Sequence, residues 1–485
     1  DKPFTIAMPC DISGLDPTEI KNVNTVYGSF VLNLLHDKLF FKNKDGELTP
    51  GLLKQVPIKK GKFLDCELKD NIFFHNGKPM TTDDIIFTIN RGKEKKNNFF
   101  SSIKEIQKID KQKFKIELQN DELWWDFPFI ESIMILNKEA VETNENEGIK
   151  IGTGAYKLKK YVRNQEIILE VFDKYHNPNI IKESPKHLKI KISIEDTTNL
   201  QELEQGTIQA IHSFSASQIS TVKEKVASNK YKNIKILENP TASSSYIYFN
   251  KAKTDKLVRT IITQSLDIQK IINQLKLSDV SSLAKTYINS SIKGHDPTIN
   301  HHNVQIAEAQ RKVRELKDAQ KNLTIASAKQ TPYLNKIVEQ LREVGFEVNL
   351  QVVEFVTLTS NAKKGSDSPY NFIFLGENFD MEYGHTVFDS YFLTTNNENN
   401  FCSIDDEDKP YIEDKVEIAK KATNEDKYKE IMSEIEKYLL EQHYIFPLTE
   451  SKSYVLVNKN ITQGFEQNQF GKFYNIKSIR MNKDK

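Results

Sequence analysis

The chain has 485 residues, more than a single hydrophobic core usually supports, so at least two lobes are expected. Lys plus Arg (68) nearly balance Asp plus Glu (67), giving a formal net charge of +1, which argues against a dedicated electrostatic nucleic-acid binder. Three cysteines, Cys10, Cys66 and Cys402, are too few and too scattered for a disulfide framework or a zinc knuckle, and allow one bridge at most.

In chain order, Phe4 to Met8 reads as a strand, and Gly14-Leu15-Asp16-Pro17 as a turn. Tyr27 to Leu39 spaces Phe30, Leu34, Leu35 and Leu39 at helical intervals, and His36 within it reads as a hydrogen-bonded core residue. Asp45-Gly46 turns before Leu48 to Leu53. The most informative stretch is Cys66 to Arg91. There Ile72 to Phe74 is β-prone, Asn76-Gly77 needs positive φ, and Thr81 or Thr82 caps a helix. Asp83 and Asp84 sit in its first turn, opposing the macrodipole, with Ile85, Ile86 and Ile89 on its apolar face. Phe114 to Leu118 alternates as a strand, and Leu123-Trp124-Trp125-Asp126-Phe127 is a dense aromatic cluster, either core or cleft wall. Gly152 and Gly154 permit a sharp bend into the runs Tyr156 to Val162 and Glu166 to Phe172, which turn at Asn164-Gln165. Leu188 to Ile194, a helix ending near Gly206, and Ile208 to Ile211 make a βαβ unit.

In the second half, Ser243 to Asn250 is a strand, Asp255 to Leu275 one amphipathic helix, and Val304 to Leu316 another. The adjacent His301 and His302 point to different sides of a loop, against a shared metal. Leu323 to Ala326, Pro332 to Val344 and Phe346 to Val353 form a strand-helix-strand unit. Tyr370 to Leu375 is an apolar strand running into Gly376-Glu377-Asn378-Phe379-Asp380. Its exit is the strongest site candidate, because ligands sit where strands of open α/β sheets end. Thr394 to Asn400 and Lys409 to Asp426 read as exposed loops, Lys427 to Gln442 as the last long helix, and Ser453 to Val457 and Gln469 to Phe473 as closing strands. No nucleophile elbow, His-Glu-x-x-His helix, paired-cysteine site or dinucleotide fingerprint occurs, so the chain reads as a binder rather than an enzyme.

The Cys66 to Arg91 block, the Gly152-Thr153-Gly154-Ala155-Tyr156 motif with its strand pair, and Val258-Arg259 followed by Asp267 together resemble the family 5 extracellular solute-binding proteins. Departures are Asn76 for an Asp, Ala155 for a Pro and His176 for a Trp. The resemblance, from Leu15 to about Phe473, implies an α/β periplasmic-binding-protein type II fold of the large (cluster C) type. Two lobes are joined by two hinge strands and close on a ligand for an ABC importer. Residues 1–240 would form the first lobe, with an extra subdomain at about 40–150. Residues 241–446 would form the second, and 447–485 would return to the first. It also implies an exported monomer in the periplasm or at the extracytoplasmic face, its leader removed, working with permease and ATPase subunits and carrying no intrinsic cofactor.

As to ligand, Gly376 to Met381 and the tail Phe465 to Tyr474 look similar to the nickel-binding branch, so a nickel(II) chelate such as nickel-histidine is the expected cargo, with a di- or oligopeptide as the alternative. Peptide binders hold the ligand amine with an Asp where Asn378-Phe379 stands, unless Glu377 or Asp380 substitutes. The Arg that nickel binders place after the first-lobe aromatic segment is missing near Glu131, so chelate carboxylates would have to meet Arg91, Lys95 or Lys96. The expected ligand contacts are Tyr27, Phe99, Trp124, Trp125, Tyr246, Glu377, Phe379 and Asp380, with His385 as a metal candidate.

Overall fold

The structure, a computed structural model, describes residues 2–393 and 399–482. It contains two compact units. The first takes the chain up to Asp121, Trp125–Asn239 and the tail from Ser453; the second is Glu122–Trp124 with Pro240–Lys452. Besides the short excursion at Glu122–Trp124, the chain passes between units in two long strands, Ile234–Phe249 and Ile445–Asn458. The second crossing falls at Lys452–Ser453, beyond the expected 447, because Thr449 to Ser451 pair with Ser281–Leu283 of the second unit.

At the centre of the first unit, Phe4–Met8 runs parallel to His187–Ile192 on one side and to Ala210–Phe214 on the other. The hairpin Tyr156–Val162/Glu166–Val171 extends one edge, and Tyr454 to Val457 pair antiparallel with Ala210–Phe214 at the other. An uninterrupted apolar run such as Phe-Thr-Ile-Ala-Met suits a strand covered on both faces. Accordingly Phe4, Ile6 and Met8 join one core with Ile167, Leu169, Leu188 and Ile190, while Ala7 joins another with Leu203, Ile211 and Leu456. Lys59–Lys60, Phe63–Glu67, Lys113–Leu118 and Ile103–Lys108 form a smaller antiparallel sheet.

Beside it the helix Thr82–Glu94 begins as its sequence predicts: Thr81 and Asp84 form a reciprocal capping box, and Asp84 also accepts from the Lys138 N–H at 2.9 Å. Ile72 to Phe74, however, is not a strand. The Phe74 N–H turns back to Lys78 O at 2.8 Å and Gly77 (φ 83°) closes the loop, so the turn chemistry overrides β-propensity.

In the second unit Glu347–Val352 and Asn322–Ser327 run parallel, followed by Phe372–Asn378, which pairs antiparallel with Ser243 to Phe249. The predicted helix Asp255 to Leu275 is two helices, Lys256–Ser265 and Ile268–Gln274. Leu266 turns extended and Asp267 caps the second, its side chain accepting from Lys270 N at 3.0 Å, a role Asp prefers to mid-helix. Lys409–Lys420, read as a loop, is a helix with Pro410 in its first turn and Ile412, Val416 and Ala419 buried on one face. Gln469 to Phe473 is not a strand but a turn closed by the Gln467/Phe473 bridge. The Thr394 to Asn400 loop lies, over 394–398, outside the described residues. Cys10, Cys66 and Cys402 are all free.

Candidate functional site

The site candidate at the exit of Phe372–Asn378 lies in the second unit. Asn322–Ser327 pairs with this strand only at Phe372 and Ile373, whereas the antiparallel partner continues to Ser243, opposite Asn378. The last residues of the strand are therefore supported from one side. Glu377, opposite Ser244, is half-buried, and its Oε2 is shut off from water without a hydrogen-bond partner. Burial raises its carboxyl above the usual carboxylate range; the Tyr391 hydroxyl opposes that rise, and the Asp380 charge adds to it. Asp380 is exposed, as a ligand contact needs.

Two expected contacts are core residues instead. Tyr246 is fully buried, its hydroxyl donating to Tyr287 O, and Phe379 is buried with its N–H on Ala242 O at 2.8 Å. Both share one face of the strand pair with Glu377, and on that face the aromatic rings pack into the core. The sequence reading missed Tyr391, whose ring stacks on buried Tyr248 with centroids 5.4 Å apart. It lies outside the strand-exit segment and carries no motif.

His385, the metal candidate, sits in a packed aromatic environment. Its ring is buried against Trp124, centroids 4.5 Å apart, and burial pushes its pKa down to about 4. The Tyr428 hydroxyl accepts from the His385 backbone N–H at 2.9 Å and lies 2.8 Å from its Nδ1, so that ring nitrogen is engaged by Tyr428. His301 is consumed by buried Glu436 at 3.0 Å, and His302 by Ala284 O at 2.7 Å. His36 is buried just past the helix Val26–Leu35. Among the described residues no group of three His, Cys, Asp or Glu side chains stands ready for a metal ion.

In the first unit, Trp125 is the half-buried edge of a ring cluster with Phe40 and Phe129, at 5.8 and 6.4 Å, and Phe99 the half-buried edge of another with Phe127 and Phe470. Tyr27, also half-buried, faces Ser213 and packs on His212 at 5.3 Å. Two of the three cations proposed for chelate carboxylates are engaged, Arg91 with Asp16 at 2.6 Å and Glu145 at 2.7 Å and Lys95 at 3.5 Å from Glu19, while Lys96 is exposed. Glu131, in the place of the missing Arg, is buried and paired with Lys472 at 2.6 Å. The side chains that remain accessible are thus Glu377, Asp380, Tyr391 and Trp124 in the second unit, and Tyr27, Phe99 and Trp125 in the first.

Among known proteins, the family model described as bacterial extracellular solute-binding proteins, family 5 (middle) matches residues 47–399. The oligopeptide-binding protein AppA of Bacillus subtilis is 26% identical over 277 residues, covering 53% of this chain and 47% of AppA; the chain spans about half the length of that relative. The nickel-binding protein NikA of Staphylococcus aureus is 19% identical over 321 residues, 65% of this chain and 63% of NikA. The solved structure of the ABC transporter substrate-binding protein CtaP from Listeria monocytogenes superposes with a TM-score of 0.79 at 18% identity, covering 99% of this chain and 100% of that one. The likeness is one of fold: the mixed α/β, type II periplasmic-binding-protein fold expected above.

Proposed function

The chain belongs to the bacterial extracellular solute-binding proteins, family 5, and from that premise we propose that it captures a short peptide by its free amino group for an ABC importer. Members of this family are non-catalytic substrate-binding components that work with the importer's permease and ATPase subunits. The chain acts in the periplasm or at the extracytoplasmic face of the membrane; among the described residues no helix is long and apolar enough to cross it.

One observation carries the peptide reading: the unpartnered Oε2 of Glu377 at the exit of Phe372–Asn378, with exposed Asp380 beside it. A carboxylate oxygen kept from water without a donor costs stability, and an incoming ammonium group repays it with a charge-assisted hydrogen bond. The peptide-binding relative AppA supports the same class of ligand. Half-buried Trp124 offers a flat apolar face to side chains of varied shape.

A nickel-histidine chelate is the second reading, favoured by the nickel-binding relative NikA. Such a chelate brings its own donors, so it needs carboxylate-binding cations rather than protein histidines, and Arg91 and Lys95 are paired. Mass spectrometry of ligand released from freshly purified protein separates the two. Peptide masses are expected, with binding of trialanine weakened in Glu377→Gln; recovery of nickel with histidine, and calorimetric heat from nickel-histidine alone, overturns the peptide reading.

A further inference from the structure

Around Lys38 the first unit gathers three lysines and two carboxylates, and the charges do not balance. Asp37, its neighbour in the chain, holds Lys477 at 3.2 Å, and Glu131 holds Lys472 at 2.6 Å; both carboxylates are buried. Lys38 instead donates to the carbonyl oxygen of Ile130, beside Glu131, at 2.7 Å, and among the described residues no carboxylate is paired with it. An ammonium carries three N–H donors, so this contact leaves two of them to an outside acceptor. The side chain is half-buried, and burial pushes its pKa down to about 8, as it does for a cation short of counter-charge. Its stem is fixed: the Lys38 backbone bridges to Met134, and its carbonyl accepts from Leu52 N at 3.0 Å. The short helix Phe127–Glu131 that supplies Ile130 O also carries Phe127 and Phe129. Phe127 packs on Phe99 at 6.2 Å and Phe129 on Trp125 at 6.4 Å, so the half-buried edges of Phe99 and Trp125 belong to the same local framework as the cation.

We propose, resting on the reading that the ligand is a short peptide, that Lys38 is the first unit's site for a ligand carboxylate, the C-terminal one of that peptide. Asp37 and Glu131 are spent on Lys477 and Lys472, so the counter-charge that Lys38 lacks comes with the ligand. The bond is charge-assisted, and partial burial of the ammonium limits its screening by water. Because the stem is held and one N–H is anchored on Ile130 O, little side-chain freedom is left to lose on binding. A carboxylate is common to peptides and to an amino-acid chelate such as nickel-histidine, and the arms of the test tell these sources apart.

The test is calorimetry of the full chain with trialanine and with trialaninamide, which differs only in lacking the C-terminal charge. The wild type is expected to bind the acid roughly 10- to 100-fold more tightly than the amide. In Lys38→Met, which keeps the apolar stem, that gap is expected to close by loss of affinity for the acid alone. Lys38→Arg, which keeps the charge, is expected to retain it. A merely structural role for Lys38 weakens both ligands alike and leaves the gap standing. Equal binding of acid and amide by the wild type overturns the proposal without any variant, so the test stays readable if Lys38→Met folds poorly. A gap that survives in Lys38→Met overturns it too, and in both cases the peptide reading stands. Failure of that reading looks different: neither peptide gives heat while nickel-histidine does. Loss of the nickel-histidine heat in Lys38→Met then assigns the same carboxylate site to a chelate, and its persistence overturns the site as well.

Discussion

The Lys477 ammonium donates to Oδ1 of Asp37 at 3.2 Å, fastening the C-terminal tail to the residue pair that follows the helix Val26–Leu35. Asp37 is sealed from solvent and also accepts from Tyr175 OH at 3.0 Å, His176 Nε2 at 2.9 Å and Thr153 Oγ1 at 3.1 Å. Lys477 and His176 hold the Asp37 carboxyl well below the usual carboxylate range despite its burial. The departure from Trp at position 176 is thus a polar contact in this chain.

Asp37→Ala is expected to cost about 3 kcal/mol or more, since it strands a half-buried lysine and three donors. Lys477→Met, which leaves three of the four donors in place, should cost less, about 1 to 3 kcal/mol. Urea unfolding at pH 7 measures both. Because the folded pKa of Asp37 is depressed, its contribution is complete above the ordinary aspartate value near 4 and is lost only as the pH falls below that. An equal cost for the two variants, or none, contradicts the hub.

Acid sensitivity at milder pH should come from histidines. Burial pushes His36 and His212 down to about 3 and His75 to about 4. A lowered folded pKa means full stability above the unfolded imidazole value near 6.5, and progressive loss as the pH falls from there toward 3 to 4. Each such group should remove up to about 1.4 kcal/mol per pH unit in that window. Unfolding midpoints compared at pH 7 and pH 5 should drop for the wild type and drop less for His212→Phe, whose ring position among Tyr27, Phe30 and Phe473 suits an aromatic. An identical drop in the variant removes His212 from this account.

The two glycines around Thr153 are needed for close approach. A Cβ on Gly152 would stand 2.0 Å from Leu35 O, and one on Gly154 2.4 Å from Leu34 O, both backbone atoms with nowhere to go. Gly152→Ala or Gly154→Ala should therefore destabilise the first unit by about 3 kcal/mol or more, while Gly46→Ala, whose added carbon meets nothing but whose φ is 79°, should cost about 1 kcal/mol. Thermal melts rank the three, and a reversed order contradicts the packing.

His385→Asn should leave uptake of nickel ion, assayed by equilibrium dialysis in chelator-free buffer, unchanged within about twofold, less than the effect expected when a true ligand is lost. A large loss would mean that the His385 ring coordinates the metal, against its burial on Trp124 and its Tyr428 contact.

Much of the fold is legible because its signals are local. The Thr81 cap with Asp84, the positive φ at Gly77 and Asn164, the apolar run Phe4–Met8 and the amphipathic helix Pro332–Glu343 each follow from a few adjacent residues. The misreadings arise where two local signals compete. Ile72 to Phe74 are β-prone but sit beside a tight turn that claims their hydrogen bonds. At Lys409–Lys420 the charged residues mask a buried stripe of Ile412, Val416 and Ala419. Asp267, read within a helix, caps the next one instead.

By itself the sequence determined the family, the two-unit division, and the strand exit at Gly376 to Asp380 as the place to look, because these rest on local chemistry and on residues in order along the chain. Only the tertiary structure decided which of that exit's side chains are available. Tyr246 and Phe379 went to the core, His385 was buried against Trp124 and bonded to Tyr428, and Arg91 was spent on Asp16 and Glu145. Glu377 kept an unpartnered oxygen beside Tyr391. Burial and hydrogen-bond partnership are set by residues far away in sequence, and no local pattern reports them.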